Sequence, residues 1–127
     1  MAASETQILI VDDEKPIREL LGIILGDHTC TKVSSADEAV KLIESRFFNL
    51  VISDVGLPGL SGIELCELVK KASPRTEVLI VSGNSESEVS EEAIEKGALG
   101  FILKPFDISR VKALVKEALN HQAQNAA

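Results

Sequence analysis

The chain has 127 residues, a length suited to one domain that buries roughly two-thirds of its unfolded surface without needing staples. Hydrophobic residues make up 45% and charged residues 26%, but aromatics only 3% with no Trp or Tyr, so the core must be aliphatic. A formal net charge of −7 argues against binding nucleic acids or anionic membranes, which need a basic patch, and suits a divalent cation or a basic partner.

The opening MAASETQ lacks the charged and apolar regions of a secretion signal, and no apolar run approaches the ~18 residues of a membrane span. The expectation is therefore a cytosolic protein. Gln7–Val11, a continuous apolar run, predicts the first strand. Pro16 then falls in the first turn of a helix, where its missing N–H costs nothing, with Ile17, Leu20, Leu21 and Ile24 at helical spacing. Gly26 stands just past that helix, where a left-handed residue is wanted. Thr29–Ser34 mixes polar and apolar residues and reads as an edge strand. Ser35 with Glu38 makes a capping box for a helix carrying Ala36, Ala39, Val40 and Ile43.

Leu50–Ser53 is the next apolar run. Ser61 with Glu64 opens a third helix, continued by Leu65, Leu68 and Val69. After Val78–Val81, Ser85 with Glu88 predicts a fourth helix over Ser85–Lys96. That helix carries Glu86, Glu88, Glu91, Glu92 and Glu95, with only Val89 and Ile94 as large apolar anchors, so it reads as a solvated surface helix and should be more mobile than its neighbours. Gly97 follows it as a second candidate left-handed residue. Leu99–Leu103 is the last apolar run, and Asp107 can cap a final helix built on Val111, Leu114, Val115 and Ala118. From His121 to Ala127 the apolar pattern is lost and the chain should fray, leaving an ordered core of about 6–120. Cys30 and Cys66 sit in apolar stretches without a Cys or His at metal spacing. They read as reduced core residues, a disulfide being the weaker option.

Strand and helix thus alternate five times. The runs are continuous rather than alternating, as strands covered on both faces should be, and right-handed crossovers give a doubly wound parallel sheet. Ligands in such sheets bind beyond the carboxyl ends of the strands. There the sequence places Asp12-Asp13 after the first strand, Asp54 after the third, Ser82-Gly83 after the fourth and Lys104-Pro105 after the fifth. Any one of these is ordinarily a turn former or cap, but together they converge in one crevice. Three clustered carboxylates repel unless a cation is bound, and oxygen ligands without His or Cys select Mg²⁺. A metal, a lysine and a hydroxyl around a carboxylate suit phosphoryl transfer. An aspartate is ordinarily ionised at neutral pH, so Asp54 could attack without a general base. A flavin-type site is disfavoured by the lack of a glycine-rich loop after the first strand and of Trp or Tyr. A phosphatase is disfavoured by the lack of any separate substrate pocket.

From ILIVDDE through DVGLPGLSGIEL and VLIVSGN to GFILKPF, the chain resembles the receiver domain of two-component response regulators over nearly its whole length. The resemblance implies one receiver domain over 1–127, a flavodoxin-like (βα)5 fold with strand order 2-1-3-4-5. It implies Asp54 as phosphoacceptor, Asp13 as a direct Mg²⁺ ligand, Asp12 acting mostly through water, and the Gly56 carbonyl completing the protein ligands. Ser82 would bond the attached phosphoryl group, Lys104 would pair with one of its oxygens, and the Lys104–Pro105 bond would be cis. Phe101 matches the aromatic switch position, although its run alone reads as core. Gly56 and Asn84 match positions whose side chains set the lifetime of the phosphoryl group. The donor would be a sensor histidine kinase, a phosphotransfer protein or a small acyl phosphate. Ser85–Lys96, Leu99–Leu103 and Ile108–Leu119 would form the output face toward a downstream protein or output domain. Such a chain is a phosphoacceptor switch rather than an enzyme acting on a separate substrate.

Overall fold

Continuous Val/Ile/Leu runs have no polar face to offer water, so their strands must be covered on both sides. A computed structural model, describing residues 6–83 and 87–125, shows this arrangement. Strands β1 (Gln7–Val11), β2 (Thr29–Val33), β3 (Leu50–Asp54), β4 (Glu77–Ser82) and β5 (Gly100–Leu103) alternate with helices α1 (Lys15–Ile24), α2 (Ala36–Ser45), α3 (Gly62–Ala72), α4 (Ser87–Glu95) and α5 (Ile108–Asn125). All pairings are parallel, in the order β2-β1-β3-β4-β5. Successive strand residues feed two cores. Leu9, Val11, Val51, Val78 and Ile80 pack with α2 and α3 on one face. Ile8, Ile10, Leu50, Ile52, Leu79 and Val81 pack with α1 and α5 on the other. The polar-apolar β2 lies at the edge, as its composition predicts. Among the described residues no helix is long and apolar enough to cross a membrane.

The helix ends follow the cap chemistry with two corrections. Ser61 and Glu64 form a full reciprocal capping box. Ser35 accepts from the Glu38 amide, but the Glu38 carboxylate turns to the amide and hydroxyl of Ser34, because β2 ends close enough to supply both. Asp107 accepts from the Arg110 amide. The Ser85–Glu88 box lies outside the described residues. Gly97 is left-handed at φ 107°, whereas Gly26 is not: α1 ends through Leu25, whose N–H reaches the Leu21 carbonyl. Both cysteines are free. Cys66 is buried, but Cys30 is only half-buried because it sits on the edge strand.

The expected fraying from His121 onward is also corrected, since α5 runs to Asn125. Its last turns are polar and largely exposed, but Gln122 is buried where they dock on the amino edge of the sheet. Gln122, 4% exposed, accepts at Oε1 from Asn49 Nδ2 at 3.0 Å, and Asn49 Oδ1 accepts the Gln7 amide at 2.9 Å. His121 Nδ1 lies 2.8 Å from Glu77 Oε2, and Lys70 faces the same carboxylate at 3.6 Å. This bonding replaces the apolar contact that the sequence pattern lacked. Truncating Gln122→Ala leaves the Asn49 amide without its acceptor, and should cost about 1–2 kcal/mol. A urea titration should show a lower midpoint with an unchanged slope.

Candidate functional site

Strand geometry carries four polar residues to one edge. Asp12 follows β1, Asp54 ends β3, Ser82 ends β4 and Lys104 follows β5. The register sets Asp54 beside Val81 and Ser82 beside Leu103, so the ends of β3, β4 and β5 stand side by side. Asp12 (1% exposed), Ser82 (2%) and Asp54 (8%) are buried, while Asp13 is exposed. The Lys104–Pro105 peptide is cis.

Ligand oxygens of Asp12, Asp13 and Asp54 lie within 4.8 Å of one another. Among the described residues a single ammonium faces them: Lys104 Nζ is 3.4 Å from Asp54 Oδ1, 3.7 Å from Glu14 Oε1 and 4.0 Å from Asp12 Oδ2. Asp12 Oδ1 accepts the Glu14 amide at 2.9 Å, but Asp12 Oδ2 is buried without a hydrogen-bond donor. Burial pushes the Asp12 carboxyl above the usual range, and the charges on Asp54 and Asp13 add to this. The Glu14 amide and Lys104 only partly offset it. At Lys104 burial acts to lower the pKa, yet the attraction of Asp54, Asp12 and Glu14 outweighs it and the pKa is raised. The cluster thus holds more negative charge than its one ammonium neutralises. A cage of hard oxygens with one buried oxygen unsatisfied fits Mg²⁺.

The frame around these carboxylates is stiff. Arg18, one turn into α1, donates from Nη1 to the Asp12 carbonyl at 2.8 Å. Gly62, the first residue of α3, donates its N–H to the Val55 carbonyl at 3.0 Å. A Cβ on Gly62 would overlap the Asp54 carbonyl oxygen and press on Val55 Cα, so α3 can seat against β3 only through a glycine. At Gly56 a Cβ would stand 3.7 Å from Asp54 Oδ2, in ordinary contact with that carboxylate. Phe101 pairs with Ile80 in the sheet and packs, half-buried, against the core on the α2–α3 face. Asn84 lies outside the described residues.

Sequence reading alone does not single out Glu14, Arg18 or Gly62. The available signals were slight: a third acid after Asp12-Asp13, a base one helical turn later, and a glycine directly after the Ser61 cap.

Comparison with known proteins agrees with this geometry. The family described as response regulator receiver domain matches residues 8–116. The response regulator protein PilR of Pseudomonas aeruginosa is 35% identical over 128 residues, covering 97% of this chain and 29% of that protein. A CheY-like response regulator receiver domain protein from Methanospirillum hungatei superimposes with a TM-score of 0.90 at 32% identity, covering 96% of this chain and 99% of that one. The beryllofluoride-activated NtrC4 receiver domain dimer matches with a TM-score of 0.87 at 30% identity, covering 92% of this chain and 98% of that one. The chain spans less than a third of the length of the curated relatives it matches.

The raised Asp12 pKa sets a sign. The native state holds this proton more tightly than the unfolded chain, so ionising Asp12 costs stability, and at neutral pH that cost is fully present. In chelator at neutral pH, Asp12→Asn should therefore melt higher than the parent, by roughly 4 °C if the relief is 1 kcal/mol. The gain should shrink as the pH is lowered through the acid range. Calorimetry of the two proteins across pH checks both points.

Proposed function

The chain belongs to the response regulator receiver domain family, and from that membership we propose that it is a two-component phosphoacceptor switch with Asp54 as the acceptor. The observation that carries this reading is the convergence of Asp12, Asp13 and Lys104 on the Asp54 carboxylate. An Asp54 oxygen attacks the phosphorus of a phosphohistidine or acyl phosphate. A new P–O bond forms as the donor's P–N or P–O bond breaks.

Asp12, Asp13, Asp54 and the Gly56 carbonyl would hold Mg²⁺, which when bound neutralises charge on the transferring group. Lys104, within 3.4 Å of Asp54 Oδ1, is placed to pair with a phosphoryl oxygen. Ser82, buried at the end of β4, can bond another through its hydroxyl. Gly56 offers no side chain to shield the product from water. Hydrolysis restores Asp54, so the chain catalyses only its own phosphorylation and dephosphorylation. The donor class is a sensor histidine kinase or phosphotransfer protein.

Phosphorylation adds about two negative charges at one edge of the sheet. Ser82 and Phe101 are the residues we expect to respond, with output through α4, β5 and α5. Support comes from apolar side chains half-exposed on all three elements: Ile94 (50%), Leu103 (51%) and Ile108 (54%). A groove of about 560 Å³ runs along β5 and α5 beside Phe101, Leu103 and Leu114. The recipient would be a downstream protein or an output domain, and the 1–127 segment would act as one receiver module.

Incubation with acetyl phosphate and Mg²⁺ should add one labile phosphoryl group to the intact mass, and Asp54→Asn should add none. Equal labelling of both proteins would place the acceptor elsewhere. Labelling of neither, together with no response to beryllofluoride, would overturn the proposal.

A further inference from the structure

We infer that Glu14 is a placeholder partner for Lys104. It occupies the ammonium in the unphosphorylated protein and must give it up when the phosphoryl group arrives. This rests on the phosphoacceptor reading of Asp54 and adds a residue that regulates it.

Glu14 is the N-cap residue of α1, yet its side chain makes no capping hydrogen bond. Side chains at this position normally turn back to the free amides of the first turn, satisfying donors the helix cannot. The Glu14 carboxylate instead lies 3.7 Å from Lys104 on the far side of the site. The Glu14 backbone is fixed, since its N–H is held by Asp12 Oδ1, so the side chain leaves from a defined point.

Lys104 has three N–H donors and three carboxylates around it, Asp54, Glu14 and Asp12. Only Asp54, at 3.4 Å, is within hydrogen-bond distance, so Glu14 and Asp12 hold the ammonium by charge, and the oxygens of a phosphoryl group on Asp54 would compete with them for it. The side chains of Asp12 and Asp54 are 1% and 11% exposed, whereas that of Glu14 is 62% exposed. Releasing Glu14 exposes to water a group that is already mostly hydrated. Releasing either aspartate would strand a buried charge. Glu14 is therefore the partner that gives way, and until it does it both engages Lys104 and repels an anionic donor. It is a positioning residue, acting on the phosphoryl group only through Lys104.

The test is the rate of phosphorylation by acetyl phosphate at saturating Mg²⁺. Glu14→Gln should react about three- to tenfold faster than the parent, and the gain should shrink as ionic strength rises. Glu14→Asp keeps the charge but falls short of Lys104 by one methylene, and should move toward the Glu14→Gln rate. Melting temperatures should be nearly unchanged, since the side chain is largely solvated, so a rate change would not report on folding. A Glu14→Gln rate equal to or below the parent's would overturn the inference, as would parental behaviour of Glu14→Asp. Failure of all three proteins to accept phosphate would instead sink the reading of Asp54 itself.

Discussion

Asp12, Asp13 and Asp54 meet at the carboxyl edge of the sheet with one ammonium, Lys104, between them, and the rest of the molecule is arranged around that imbalance. Two of the three carboxylates are buried, and charges so placed destabilise unless paired or bound to a cation. The fold tolerates them because its stability comes from elsewhere. Strands β1, β3 and β4 are buried on both faces, and the two aliphatic cores they feed run the length of the sheet. An apolar scaffold of this kind can carry an electrostatically unfavourable site at one end and still hold its residues in place.

Placement depends on backbone contacts more than on the site side chains. Gly62 seats α3 directly against the Asp54 carbonyl, Arg18 ties α1 to the Asp12 carbonyl, and the Asp12 carboxylate in turn holds the Glu14 amide. At the opposite edge Gln122, Asn49, His121 and Glu77 fasten the end of α5 beneath the sheet. Helices on both faces are thus anchored to strand ends, so a charge change at Asp54 is borne by a stiff frame. On α4 and β5 the apolar side chains of Ile94 and Leu103 stay half-exposed.

Much of this was legible in the sequence. Unbroken apolar runs give a two-sided parallel sheet because no other environment suits them, and the acids and the lysine fall at strand ends that the topology must bring together. The docking of the end of α5 through Gln122 was not legible, because a polar turn reads as solvated unless its hydrogen-bond partners are known. Nor was the part played by Gly62, since a glycine after a capping serine looks like local helix chemistry, and the carbonyl it fits against is eight residues earlier. Glu14 read as one more acid because its reach to Lys104 spans β1 to β5. Gly26 misled for the opposite reason: its position suited a left-handed cap, but the last turn closed through Leu25.

The central claim is that the three carboxylates are held together against their own repulsion and are relieved by a cation. Denaturant unfolding of the protein in chelator and then in rising Mg²⁺ tests it most directly. The account predicts that stability climbs with the logarithm of Mg²⁺ once the site begins to fill, reaching about 1.4 kcal/mol at tenfold excess over the dissociation constant. Stability indifferent to millimolar Mg²⁺ would contradict it.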